Sequence, residues 1–188
     1  MSENEIKVSG AQLLYQALRS ATEKSKVTGK KQLLRTPPAG LTKEETSDLL
    51  KALEHGEPAQ ELKDIAVLKG RKDTWYYDST IMTHHYAALD SMIQEKDILH
   101  TIATVTRSDS KLYPKATEFR KLMDTPFWFT EDELLGAAAR FAADPQYADI
   151  DVIEASNGQK AFYSKQSLDR KYAEYLHEWY EVGIYENP

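Results

Sequence analysis

The side chains that could do chemistry here are five histidines, 30 acids and a set of basic residues; cysteine is absent. Without cysteine there are no disulfides, thiolate metal sites, cysteine-ligated iron–sulfur clusters or cysteine nucleophiles. The histidines are His55, His84, His85, His100 and His177. Neighbours on a helix point about 100° apart, so His84 and His85 are poorly placed to share a metal and read as surface residues. A zinc helix carries a second histidine at i, i+4; Glu181 follows His177 at that spacing. Asp149 and Asp151 fall on one side of an expected strand, but a catalytic carboxylate pair needs one member in an apolar pocket to raise its pKa. They read as edge or turn acids. Glu44, Glu45, Asp48, Glu131, Asp132 and Glu133 occupy expected first turns of helices, where acids favour the helix dipole. No glycine-rich phosphate loop, serine elbow or EF-hand loop occurs. The sequence thus predicts no catalytic residue, no metal site and no cofactor. An enzyme with an unrecognised site is kept as an alternative.

Binding chemistry is more visible. Lys24, Lys26, Lys30, Lys31 and Arg35 form one basic stretch, and Arg71 with Lys72 lies in a basic turn, Lys69-Gly70-Arg71-Lys72. Such residues can touch phosphates, and they define the nucleic-acid alternative. Against it, the segment just before the expected hairpin, Pro58-Ala59-Gln60-Glu61-Leu62-Lys63, is too short and acidic to read a major groove. Phe127, Trp128 and Phe129 form a second feature: three aromatics in a linker. One can staple against the next helix turn while the others cover a neighbouring surface or meet a protein partner. Tyr172, Tyr175 and Trp179, on the last expected helix, read as core residues.

The elements that must carry these residues occur twice. Trp75-Tyr76-Tyr77 runs into Met82, Tyr86 and Ala87, and Ala161-Phe162-Tyr163 runs into Leu168, Tyr172 and Ala173. Thr42 with Glu45 and Thr130 with Glu133 are matching capping boxes. Leu33-Leu34-Arg35-Thr36-Pro37 matches Leu122-Met123-Asp124-Thr125-Pro126, Pro58 matches Pro145, and Asp64-Ile65 matches Asp149-Ile150. The offset drifts only between 85 and 89, far longer than a solenoid period. Each copy is expected to run helix, linker with Thr-Pro, helix, short turn, β-hairpin, helix. Ser9, Thr42 and Thr83 are the expected N-caps in the first copy, with Gly56 ending its second helix. Lys24–Lys31 is expected to be a loop. In the closing helices Tyr86, Leu89 and Ile93, then Leu168, Tyr172, Tyr175, Leu176 and Trp179, are expected to face inward. Asn157-Gly158 marks the second hairpin turn.

At 188 residues and 41% hydrophobic, the chain can bury a core in one domain or two small ones. The net charge of −6 is uneven: residues 1–94 carry 13 acids and 13 bases, residues 95–188 carry 17 and 11. Acidity disfavours bulk attraction to nucleic acid or anionic lipid. No apolar run approaches the roughly 20 residues of a membrane span. The polar N-terminus lacks the pattern of a signal peptide, so the expected location is cytoplasmic.

The segments Trp75–Ala87 and Tyr163–Ala173 resemble small uncharacterised bacterial proteins associated with gene clusters for anaerobic oxidoreductase systems. That resemblance implies an accessory protein of a redox complex, with no catalytic residues to carry over. The expected fold is α+β: two tandem winged-helix-like units from an internal duplication, at 9–95 and 96–188, after a flexible segment 1–8. The expected function is a non-catalytic binding or adaptor protein with a protein partner, an oxidoreductase subunit being one such partner. A DNA-binding winged-helix regulator is the other alternative.

Overall fold

The computed structural model describes residues 8–186; the expected flexible segment, apart from Val8, lies outside them. The chain is mixed α and β and divides into two compact units, Met1–Glu95 and Lys96–Pro188. In unit 1, α1 (Gly10–Glu23) starts where the Ser9 side chain accepts from the Gln12 N–H at 3.1 Å. Ala11, Leu14, Leu18 and Thr22 recur at helical spacing and are buried. Thr22 also ties the helix to the sheet, its hydroxyl accepting from the Asp78 N–H at 3.1 Å.

The stretch expected to be a loop is ordered. Thr28–Gly29 is a short strand, β1, and Lys30–Arg35 a short helix, α2. Two residues are too few to show an alternating pattern, so this strand left no signal in the sequence. Gly29 permits it: a Cβ there would lie 2.8 Å from Asp73 Oδ2 and 3.2 Å from the Trp75 ring. The helix stops ahead of Thr36-Pro37, as proline's restriction of its predecessor requires. Next, α3 (Lys43–His55) opens on the Thr42–Glu45 capping box and ends at Gly56, whose φ is +79°. A 3-10 turn, Gln60–Leu62, leads into β2 (Ile65–Lys69) and β3 (Thr74–Asp78). Thr83 caps the closing helix α4 (His84–Gln94). The sheet is antiparallel in the order β1-β3-β2.

Unit 2 follows the same order. It comprises α5 (Ile98–Leu112), β4 (Thr117–Glu118), α6 (Phe119–Met123), α7 (Glu131–Ala143), a 3-10 turn at Pro145–Tyr147, β5 (Ile150–Glu154), β6 (Lys160–Ser164) and α8 (Arg170–Glu178). A π-helical turn, Trp179–Gly183, and α9 (Ile184–Glu186) end it. The sheet order is β4-β6-β5, and α7 again opens on a capping box.

Each central strand divides its unit's core, because alternate strand residues face opposite ways. Tyr76 packs with Leu14, Leu18, Leu50 and Leu62, while Trp75 and Tyr77 pack with Val27, Met82 and Ala87. At the first of these faces the units solve one packing problem differently. The buried Tyr76 hydroxyl donates to Glu54, which also takes Lys30 Nζ at 2.8 and 3.0 Å. Burial, then the Glu54 carboxylate, pushes the Tyr76 phenol far above its ordinary value. The matching positions in unit 2 are Phe162, Ala142 and Phe119. There Phe162 stacks on Phe119 at 4.7 Å and meets Phe141 edge-on at 5.6 Å.

A second exchange locks the first helix to the hairpin. Arg19 reaches Asp78 on β3 at 3.1 Å. Its counterpart Arg107 instead grips Asp149, just before β5, through two bonds of 2.9 and 2.6 Å, and Ser164 replaces the β3 acid and donates to Asp149 at 2.8 Å. The Arg107 guanidinium holds the Asp149 carboxyl below the usual carboxylate range, outweighing its partial burial. A depressed folded pKa gives stability that is present above the ordinary aspartate value and lost as pH falls through the folded one. Arg107→Ala is therefore expected to cost about 2 kcal/mol near neutral pH. Chemical denaturation should show that gap narrowing below roughly pH 4; a gap independent of pH would refute the assignment.

Candidate interaction surface

The closing helices decide which side chains of each unit face inward and which stay exposed. Ala87, Ser91 and Glu95 are buried at i, i+4 and i+8, and so are Ala173, His177 and Glu181. This seam is small and polar because it grips the hairpin tips. In unit 1 the Glu95 carboxylate accepts from the Lys72 N–H (3.0 Å), the Asp73 N–H (3.3 Å) and Trp75 Nε1 (3.1 Å). Lys72 Nζ adds a bond to the Glu95 carbonyl at 2.8 Å. In unit 2 Glu178 accepts from the Ser156 N–H at 2.8 Å and from its hydroxyl, and these bonds hold the Glu178 carboxyl below its usual range. His177 Nε2–H donates to the Gln159 carbonyl at 3.0 Å. Arg120 clamps the Glu181 carboxylate through bonds of 3.2 and 2.6 Å.

With that seam turned inward, the aromatic side of α8 and the turn after it faces outward. Tyr172, Tyr175, Trp179, Tyr180 and Tyr185 are all exposed, Tyr175 at 66% and Tyr185 at 77%. This corrects the expectation that Tyr172, Tyr175 and Trp179 are core: of the residues expected to face inward here, Leu168 is buried and Leu176 half-buried. In α4, Ala87 is buried, whereas Tyr86, Leu89 and Ile93 are half-buried. The sequence did carry a signal. The i, i+4, i+8 series of alanine, a polar residue and glutamate is common to both units, whereas Leu89 and Ile93 align with Tyr175 and Trp179.

The aromatic linker splits three ways. Phe127 is buried and is thereby withdrawn from any contact surface; Phe129 is half-buried, with its ring 6.0 Å from that of Phe127. Trp128 is 68% exposed. Its φ of +55° is rare for a bulky residue.

The basic residues are largely committed within unit 1. Lys26 pairs with the buried Asp90 at 2.9 Å, Lys30 with Glu54, Lys31 with the Lys72 carbonyl at 2.5 Å and Lys72 with the Glu95 carbonyl. Arg71 is also engaged. Lys24 and Arg35 are exposed. The segment just before the first hairpin is the short helical turn expected there, Gln60–Leu62, and the longer helix ahead of it, α3, carries Glu44 and Glu45 in its first turn. Its counterpart α7 opens with Glu131, Asp132 and Glu133. His84 and His85 are exposed, with His84 Nδ1 3.1 Å from the Tyr77 hydroxyl. Asp151, at the edge of β5, takes Arg170 at 3.3 Å. No helix among the described residues is long and apolar enough to cross a membrane.

The family model for the YdhW C-terminal domain matches residues 96–185, the extent of unit 2. An uncharacterised protein, YdhW, of Escherichia coli strain K12 is 32% identical over 179 residues, which is 95% of this chain and 81% of that protein. The chain belongs to the YdhW family. No solved structure matches it. The likeness to the Escherichia coli YdhW extends well beyond the outward aromatic helix, through most of both units.

Proposed function

We propose that this YdhW-family chain is a non-catalytic binding or adaptor protein. Its two units are winged-helix-like copies from an internal duplication, and its partner is a protein. The observation that carries the reading is the division of labour in α8: polar residues hold the hairpin, and tyrosines and a tryptophan face outward. Tyrosine and tryptophan are the residues most enriched where protein interfaces gain their energy. The pairing of opposite charges inside each unit supports a structural use for the polar groups. Arg19 with Asp78, Lys26 with Asp90, Arg107 with Asp149, Lys121 with Asp109 and Arg120 with Glu181 each join one element to another. The nucleic-acid alternative is disfavoured by hairpin tips strapped to their own helices and by acidic first turns on α3 and α7, which would repel phosphate. The resemblance to proteins of anaerobic oxidoreductase gene clusters makes an oxidoreductase subunit the first partner to seek.

Affinity capture of the tagged protein from its own cells, after nuclease treatment, tests this. One stoichiometric protein is expected, with recovery reduced about tenfold or more by Tyr175→Ala, as for an interface hot spot. Exposed residues contribute little to stability, so the melting temperature should stay within about 2 °C. Trp128→Ala, made separately, reports on the linker. Capture that vanishes with nuclease, or that neither variant alters, overturns the proposal.

A further inference from the structure

Unit 2 contains a hollow of about 300 Å³ between α7 and β5, formed by Ala138, Phe141, Ala142, Ile150 and Val152, with Asp151 and Lys165 at its edge. The capping boxes align α7 with α3, so unit 1 shows what else this scaffold accepts. Ala138 stands where unit 1 has the fully buried Leu50, and Ala142 where it has Glu54. At the edge the exchange runs the other way: Lys165 replaces Ser79 and Asp151 replaces Ala66. At Ala138 the side chain is smaller than its unit 1 counterpart, and a lysine and an aspartate stand where unit 1 has serine and alanine.

The two charged groups are not equivalent. The Asp151 carboxylate is already satisfied by the Val152 N–H at 2.9 Å and by Arg170 at 3.3 Å. The Lys165 ammonium has no ion-pair partner among the described residues; its backbone N–H alone is used, donating to the Asp149 carbonyl at 2.8 Å. The hollow therefore combines alanine, phenylalanine and branched side chains with polar groups, and the exposed Lys165, whose ammonium has no ion-pair partner among the described residues, is part of its lining. Its volume is at the lower end of the range for small-molecule sites.

We propose that this hollow binds a small organic acid, its apolar body against Ala138, Ala142 and Phe141 and its carboxylate at Lys165. The site lies within unit 2 and does not depend on the adaptor reading. The probe is 3-phenylpropionate, with its neutral amide as the control, titrated into the full chain while backbone amide resonances are followed by NMR. Saturable shifts are expected at residues 138–142, 150–152 and 165. The acid should bind about fivefold more tightly than the amide, as for one partly screened charge contact. Ala138→Leu, which restores the residue of unit 1, should reduce binding of both probes at least tenfold. Lys165→Ser should abolish the preference for the acid while the amide still binds. If Ala138→Leu disturbs the fold, Ala142→Val, at a more exposed point of the same wall, serves instead. No saturable shift up to about 10 mM, a weakest measurable affinity of under 3 kcal/mol, would overturn the proposal. So would undiminished binding in the filled variant, or an acid preference that survives Lys165→Ser.

Discussion

Glu95→Ala is expected to destabilise unit 1 by about 3 kcal/mol, because the lost carboxylate serves three donors at once. The buried Trp75 Nε1–H loses its acceptor, and the Lys72 and Asp73 amides lose their anchor. For a unit of this size the loss corresponds to a fall of roughly 10 °C or more in melting temperature. Hydrogen exchange at Lys72 and Asp73 should quicken by more than the global change explains, since the hairpin tip is released locally. Glu95→Gln keeps one oxygen acceptor and is expected to recover about half of the loss, the remainder reflecting the charge-assisted part of the bonds. A Glu95→Ala protein that melts within a degree or so of the parent would show that the strap contributes nothing.

The second large effect lies at Phe162. Truncation to alanine removes a fully buried ring that stacks on Phe119 and meets Phe141 edge-on, and is expected to cost about 4 kcal/mol by urea denaturation. Phe162→Tyr is more informative, because it installs the ring that unit 1 carries at Tyr76. In unit 1 the phenol has Glu54; in unit 2 the matching position is Ala142, so the new hydroxyl is expected to cost about 1–3 kcal/mol for want of an acceptor. Adding Ala142→Glu should return part of that loss. If Phe162→Tyr alone were neutral, the pairing of Tyr76 with Glu54 would not be what separates the two cores.

The helix caps, both hairpins and the order of the longer elements were legible because each rests on local chemistry. Capping boxes at Thr42 and Thr130, the left-handed Gly56 and the Asn157-Gly158 turn need no knowledge of the rest of the chain. What escaped was set by tertiary pairing. β1 and β4 are two residues long and exist through their partners Trp75, Tyr76, Ala161 and Phe162. The outward aromatics of α8 escaped for a different reason. Periodicity locates an apolar stripe, and the usual inference points that stripe at the core; here Ala173, His177 and Glu181 take the inward side. Of the candidate site, Trp128 stood out by residue type alone. That Phe127 is buried beside it, and that Lys26, Lys30 and Lys72 are spent on internal partners, depends on contacts made by chain segments far apart in sequence.

The polar seam of the closing helices also bears on how such a chain can change over time. Ala173, His177 and Glu181 keep unit 2 closed, and Tyr172, Tyr175 and Trp179 are not asked to. A substitution on the outward side therefore meets little resistance from folding, and a substitution on the inward side leaves the outward chemistry intact. On the proposed reading, recognition and architecture would occupy one helix yet be free to change almost separately.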